Sequence, residues 1–201
     1  MSDSRPIRTR RLPRCGGCGL PPLLCLCAEI PRLQIRSTVV VVAHRFEWGK
    51  PTNTGRLVVA ALAGARVRLH GVEGPERDAP APSARRLVLY PLPGARVLQP
   101  GEPASELVVP DGTWSQARRI VRRDALCREA EAVALPAGAP GRYALRRSLR
   151  EGGLCTLEAV ARALGLLEGP EVEQALTELL ERFVERSERV RALGTQYRPP
   201  G

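Results

Sequence analysis

The chain is poor in aromatic side chains: two Trp, three Tyr and two Phe among 201 residues, or 3%. Its core must therefore rest on Leu, Val and Ala, which a hydrophobic content of 43% supplies. Lysine is nearly missing, with Lys50 alone, so almost all positive charge is arginine. Codon bias in a GC-rich genome accounts for that exchange but not for the sign of the net charge. No apolar run approaches the roughly 18 residues of a membrane span, so no membrane association is expected. Residues 1–14 are arginine-rich but have no apolar h-region, so no secretory signal is read there, and a transit peptide is the weaker alternative. Neither a G-x-G-x-x-G turn nor a P-loop G-K-[ST] is present, which leaves a standard dinucleotide or nucleoside triphosphate site unsupported.

The formal net charge is +10. Such an excess favours a polyanionic partner through attraction and counterion release, nucleic acid foremost. A solvated basic surface is the plainer alternative.

Four of the six cysteines lie close together, Cys15, Cys18, Cys25 and Cys27. A C-x-x-C pair followed by a C-x-C pair offers four thiolates to one tetrahedral ion. Structural zinc is the favoured reading. An iron–sulfur cluster, a redox pair and plain buried thiols are the alternatives. Four thiolates leave no open coordination position, so such a metal would be structural. Cys127 and Cys155 stand alone and read as small buried side chains rather than nucleophiles.

Apolar runs at 35–43, 65–69, 86–90, 106–109 and 132–135 read as strands. The run Val39-Val40-Val41-Val42-Ala43 is continuously apolar, as in a strand covered on both faces. Helices are expected over 56–63, 115–124, 156–167 and 171–193, with Thr52-Asn53-Thr54-Gly55 as a cap before the first. Alternating strands and helices predict an α/β fold with a mostly parallel sheet. The expected organisation is a disordered start (1–11), a four-cysteine knuckle (12–34), a catalytic domain (35–195) and a loose tail (196–201).

Three polar clusters fall at strand ends or helix starts. Asp111-Gly112-Thr113-Trp114 follows the fourth strand, where open α/β sheets bind ligands. Asp111 is read as a base, an orienter or a helix cap. Trp114 is read as a ring that stacks on a base, or as core. His44 ends the first strand and is read as a base, a ligand or a structural residue. The third cluster joins Arg142, Tyr143, Arg146 and Arg147 to Cys155-Thr156-Leu157-Glu158. Its arginines suit phosphates, with a solvated face as the alternative, and Thr156 reads as a ligand contact or a cap.

On these residues the chain resembles the DTW-domain family. The signature is Asp111-Gly112-Thr113-Trp114 with Ser115-Gln116-Ala117-Arg118. It is joined by the four clustered cysteines and by His44 with Glu47 and Thr52-Asn53-Thr54. Tyr143 with Arg146, and Thr156-Leu157-Glu158-Ala159, complete it, over residues 12–190. Gly112 stands inside the name-giving triplet, and Pro110 takes a place the family often gives an aliphatic residue.

The resemblance implies a SPOUT-related fold with a trefoil knot, and tRNA-uridine aminocarboxypropyltransferase activity. The 3-amino-3-carboxypropyl group of S-adenosylmethionine would move to N3 of a tRNA uridine, giving methylthioadenosine. Asp111, Trp114 and His44 are the expected catalytic residues. Thr113, Arg56, Thr156 and Glu158 are expected at the S-adenosylmethionine. Arg118, Arg119, Arg142, Tyr143, Arg146 and Arg147 are expected on the tRNA. A cytoplasmic monomer is expected, with structural zinc and no protein partner. The alternatives are a SPOUT-type RNA methyltransferase and a non-catalytic zinc-containing RNA-binding protein.

Overall fold

The computed structural model describes residues 13–72, 85–138, 141, 143 and 153–196. The strands are β1 (Thr38–His44), β2 (Arg66–His70), β3 (Arg86–Leu89), β4 (Arg96–Val97), β5 (Glu106–Asp111) and β6 (Glu131–Ala134). The helices are α1 (Arg45–Trp48), α2 (Gly55–Ala61), α3 (Trp114–Arg123), α4 (Ala125–Arg128), α5 (Thr156–Leu167) and α6 (Pro170–Gln196). The six strands form one sheet in the order β2-β1-β5-β3-β6-β4, and every pairing is parallel. The expected α/β class and parallel sheet are therefore present. Of the expected disordered start (1–11) and loose tail (196–201), Gln196 ends α6 and the remaining residues lie outside the described residues.

Among the strands and α-helices, three short elements go beyond the sequence reading. β4 has two residues, and α1 and α4 have four each, too few for a hydrophobic period to show. α4 did carry a local signal, because Asp124 caps it by accepting from Leu126 N at 3.2 Å.

The continuous apolar strands follow from burial on both faces. Val39, Val41, Ala43, Leu107 and Val109 face α2, α5 and α6 in the larger core. Val40, Val42, Val88 and Val108 face Ala117, Ile120 and Leu126 of α3 and α4 in the smaller one. Strand residues alternate between faces, so both parities must be apolar. Phe183 of α6 is fully buried, and aliphatic side chains supply most of the rest.

The two edges of the sheet differ in character. Ion pairs sew the N-terminal ends of the strands together. Glu106, 3% exposed at the start of β5, accepts from Arg86 at 2.5 Å and Arg66 at 2.7 Å. Glu102 bridges Arg85 and Arg96, and Glu131 pairs with both. The C-terminal ends instead carry polar side chains around a cavity.

β5 sits where the winding reverses: β1 and β2 lie on one side of it, β3, β6 and β4 on the other. Ligand crevices open at such switch points. Pro110 helps to open it. Pairing with β3 ends at Val88↔Val108, while pairing with β1 continues to Ala43↔Asp111. A proline, which has no N–H to donate, falls where one neighbour has already parted.

The Glu106 pairs generate a prediction. Burial opposes ionisation of Glu106, but Arg86 and Arg66 outweigh it and hold its pKa below the ordinary value. Arg96 holds Glu102 down at about 2. Both carboxylates stabilise the fold at and above the ordinary carboxylate range; the contribution of Glu102 is lost as pH falls towards about 2, and that of Glu106 as pH falls below the ordinary range. Glu106→Gln leaves two arginines facing a neutral amide. It is expected to cost about 3 kcal/mol in urea unfolding at pH 7, and a smaller difference from wild type in acid.

Candidate active site

Asp111 ends β5 and is 3% exposed. Its Oδ2 accepts from Asn53 Nδ2 at 2.5 Å and its Oδ1 from Thr156 Oγ1 at 2.5 Å. Asn53 is fully buried, and its Oδ1 accepts from Arg56 N at 3.1 Å. Thr54 Oγ1 accepts from Leu157 N at 3.4 Å. One carboxylate thus ties the end of β5 to the loop before α2 and to the first turn of α5. Gly55 makes this approach possible, since a Cβ there would lie 3.0 Å from Asp111 Oδ2 and 3.1 Å from Val41 Cγ1.

Asp111 is not a helix cap. Thr113 caps α3: Gln116 N donates to Thr113 Oγ1 at 3.4 Å, and Thr113 N donates to Gln116 Oε1 at 2.7 Å. This is a capping box, legible as T-x-x-Q but not recognised from the sequence. A Cβ on Gly112 would lie 2.9 Å from Gln116 Cβ and 3.2 Å from its Oε1. The glycine inside the motif is therefore needed for close packing of the turn.

His44 ends β1 and is half-buried. Its Nδ1 lies 3.3 Å from Gln116 Nε2. Gln116 Oε1 already accepts from Thr113, so its NH₂ faces the ring, Nδ1 accepts, and the imidazole proton is assigned to Nε2. Burial pushes the pKa of His44 down, against the pull of Glu47; His70, Arg119 and Arg45 add to the depression. The ring is neutral at pH 7 and offers an N–H.

Trp114, the first residue of α3, is 37% exposed and tilted against Tyr90, with ring centroids 5.9 Å apart. Both rings line a cavity of about 300 Å³ at the C-terminal ends of β3, β5 and β6. Pro110, Thr113, Cys155 and Thr156 also line it. Burial raises the thiols of Cys127 and Cys155 to about 12, so neither is a nucleophile at neutral pH. A larger cleft of about 650 Å³ lies between α5 and α6 and meets the smaller cavity at Leu135, which lines both. Its walls include Glu173, Glu181, Glu185 and Glu188, a lining of the wrong sign for a polyanion.

Several expected ligands have other work. Arg56 is turned away from the cavity, and its Nη2 donates to the carbonyls of Trp48 at 2.6 Å and Lys50 at 3.5 Å. Burial lowers its pKa, while Cys18, Cys15 and Asp111 favour its charge. It holds a loop rather than a carboxylate ligand. Glu158 Oε2 accepts from Cys155 N at 2.9 Å and closes the capping box of α5. Cys155, not Thr156, is the N-cap. Tyr143 is 2% exposed and donates its hydroxyl to Thr52 O at 2.7 Å, so its ring is closed to RNA. Arg118 and Arg119 lie exposed on α3. Arg142, Arg146 and Arg147 lie outside the described residues.

The sulfurs of Cys15, Cys18, Cys25 and Cys27 all lie within 4.8 Å of one another. The closest approaches are 3.4 Å (Cys15–Cys27), 3.6 Å (Cys15–Cys25) and 3.8 Å (Cys18–Cys25). A tetrahedron with metal–sulfur bonds of about 2.3 Å has edges of about 3.8 Å, whereas a disulfide needs about 2.05 Å. The set fits one metal ion. Backbone N–H groups of Cys18 and Gly17 lower Cys15 to about 6, so one thiolate is available near neutral pH. The knuckle is docked on the larger core through Cys18, Leu20 and Leu26. Arg186 of α6 donates to Cys25 O at 2.6 Å and pairs with Glu29 at 2.5 Å.

A parallel α/β sheet with a crevice at its switch point, an acid at the strand end and a four-thiolate knuckle places the chain in the class of open α/β proteins. Within that class, the chain belongs to the DTW-domain family, whose model matches residues 12–188. It is 33% identical over 172 residues to the Mus musculus tRNA-uridine aminocarboxypropyltransferase 2, covering 79% of this chain and 57% of that protein. It is 29% identical over 176 residues to the Drosophila melanogaster tRNA-uridine aminocarboxypropyltransferase 2, covering 81% and 70%. It is 26% identical over 222 residues to the Arabidopsis thaliana tRNA-uridine aminocarboxypropyltransferase A, covering 92% and 84%. The chain spans less than two thirds of the mouse protein's length. No solved structure matches the chain. No helix among the described residues is long and apolar enough to cross a membrane.

The knuckle yields a direct test. Purified protein is expected to carry about one tightly held metal ion per chain, measured by elemental analysis. Cys18→Ser, at a fully buried ligand, is expected to lose the metal and lower the melting temperature. Substoichiometric metal in wild-type protein after metal-replete expression would contradict the site.

Proposed function

We propose that this protein transfers the 3-amino-3-carboxypropyl group of S-adenosylmethionine to N3 of a uridine in tRNA. The reading rests most on one observation: Gly112, Thr113 and Trp114 of the DTW motif line a cavity of about 300 Å³ at the sheet's switch point, within the size range of small-ligand sites. The names of the relatives from mouse, fly and Arabidopsis agree with it. So does the net charge of +10. A SPOUT-like fold, with the knot implied by the family resemblance, and a cytoplasmic monomer are part of the same reading.

The donor supplies a sulfonium whose adjoining methylene is open to attack. Uridine N3 bonds to that carbon, the carbon–sulfur bond breaks with its electron pair going to sulfur, and methylthioadenosine leaves neutral. The N3 proton passes to solvent. No acid is required for the leaving group. Trp114 and Tyr90 provide ring faces for a purine or a pyrimidine. Thr113 and Thr156 line the cavity and meet the donor's polar atoms. The amino terminus of α5 borders the cavity, where its dipole favours the donor's carboxylate.

His44 donates its Nε2 proton to a uracil carbonyl, which stabilises the ring as N3 loses its proton. Asp111 orients rather than deprotonates, because both its oxygens already accept hydrogen bonds. Arg118 and Arg119 meet the RNA backbone, with Arg142, Arg146 and Arg147 as further contacts. The metal in the knuckle is zinc, which suits four thiolates and has no redox chemistry to disturb.

Incubation with tRNA and S-adenosylmethionine is expected to release methylthioadenosine and to leave acp-uridine in the digested tRNA. S-adenosylhomocysteine with methylated nucleosides would replace this reading with a methyltransferase. Bound but unmodified tRNA would replace it with a binding protein. His44→Phe is expected to lower kcat about a hundredfold with the KM for S-adenosylmethionine unchanged.

A further inference from the structure

Phe46 faces solvent at the same edge as the candidate site. It is 65% exposed, in a chain with only seven aromatic residues. Among the described residues, the exposed large hydrophobics include two aromatics, Phe46 and Trp114. Their places correspond. Ala43 and Asp111 are partners in register on adjacent strands, and each ring lies three residues beyond that pair.

The short helix α1 fixes the orientation of Phe46. Glu47 beside it is buried, with Lys50 paired to it, and Trp48 packs on the larger core. Phe46 is thereby turned outward. The Arg45 guanidinium carbon lies 4.5 Å from the Phe46 ring centroid, and the His44 ring lies 5.7 Å away at 42°. Arg118 and Arg119, on the helix that Trp114 begins, are exposed. An exposed ring with an arginine against it matches the chemistry of an unpaired nucleotide: a π-face to stack and a phosphate to neutralise.

We propose that Phe46 is a stacking platform for the nucleobase next to the uridine that enters the crevice beside Trp114, with Arg45 holding the adjoining phosphate. The target uridine is then read in an unpaired stretch of RNA whose neighbour can unstack. This inference rests on RNA being the substrate. Phe46 touches no reacting atom and acts on RNA affinity alone.

Two measurements test it: KM for tRNA in the transfer assay, and binding of a short oligouridine carrying one 2-aminopurine, whose fluorescence is quenched on stacking. Phe46→Ala is expected to raise KM for tRNA and weaken oligouridine binding about tenfold, in line with the loss of one stacked base. KM for S-adenosylmethionine should not move. Phe46→Leu, apolar but without a ring, should fail like alanine, and Phe46→Trp should restore both values. Phe46→Ala or Phe46→Leu within about twofold of wild type in both assays, a change well below the loss of one stacked base, would overturn the platform while leaving the transferase reading intact. Oligouridine binding that depends on the ring, in a protein that transfers nothing, would keep the platform and remove the reaction. Wild-type protein that binds neither RNA would remove both.

Discussion

The buried carboxylate of Asp111 is the constraint on which the site depends. A carboxylate out of water must have its lone pairs satisfied, or the cost reaches several kcal/mol. Asn53 and Thr156 meet that need from two different parts of the chain. Three segments remote in sequence, at residues 53, 111 and 156, are therefore held at one point. The cavity opens beside that point, with the amino termini of α3 and α5 at its rim. The carboxylate's first task is geometric, and it sets where Trp114, Thr156 and His44 stand relative to one another.

The knuckle contributes to the same geometry. A metal held by the four sulfurs would fix the segment that packs against Arg56, and Gly19 lies close enough that a Cβ there would sit 3.1 Å from Arg56 Nη1. Arg56 in turn grips the carbonyls of Trp48 and Lys50, and its own N–H orients Asn53. The line from metal to carboxylate passes through one arginine and one asparagine. At the opposite edge, Glu106, Glu102 and Glu131 bind arginines together without bordering the cavity.

The parallel sheet was legible because two-face burial writes itself as unbroken apolar runs such as Val39-Val40-Val41-Val42. The strand end at Asp111 was legible because an acid and a ring follow such a run. The fates of the polar residues were not. Asn53 reads locally as part of a helix cap, and only tertiary packing turns its amide to Asp111. Thr156 and Glu158 sit in the same helical turn, yet one reaches Asp111 and the other closes the cap. Arg56 and Tyr143 look like ligand and RNA contacts by residue type, but burial assigns them to backbone carbonyls. Charge and motif mark a neighbourhood; which side chain faces the cavity is decided by long-range hydrogen bonds that have no sequence period.

The central claim is that Asp111 is a clamp, and a double-mutant cycle measures it directly. Urea unfolding of wild type, Asp111→Ala, Asn53→Ala and the double mutant isolates the interaction between the two side chains. The clamp predicts a coupling of about 2 kcal/mol, the worth of a buried hydrogen bond to a charged group. Additive effects, within about 0.5 kcal/mol, would contradict it and return Asp111 to a purely chemical role.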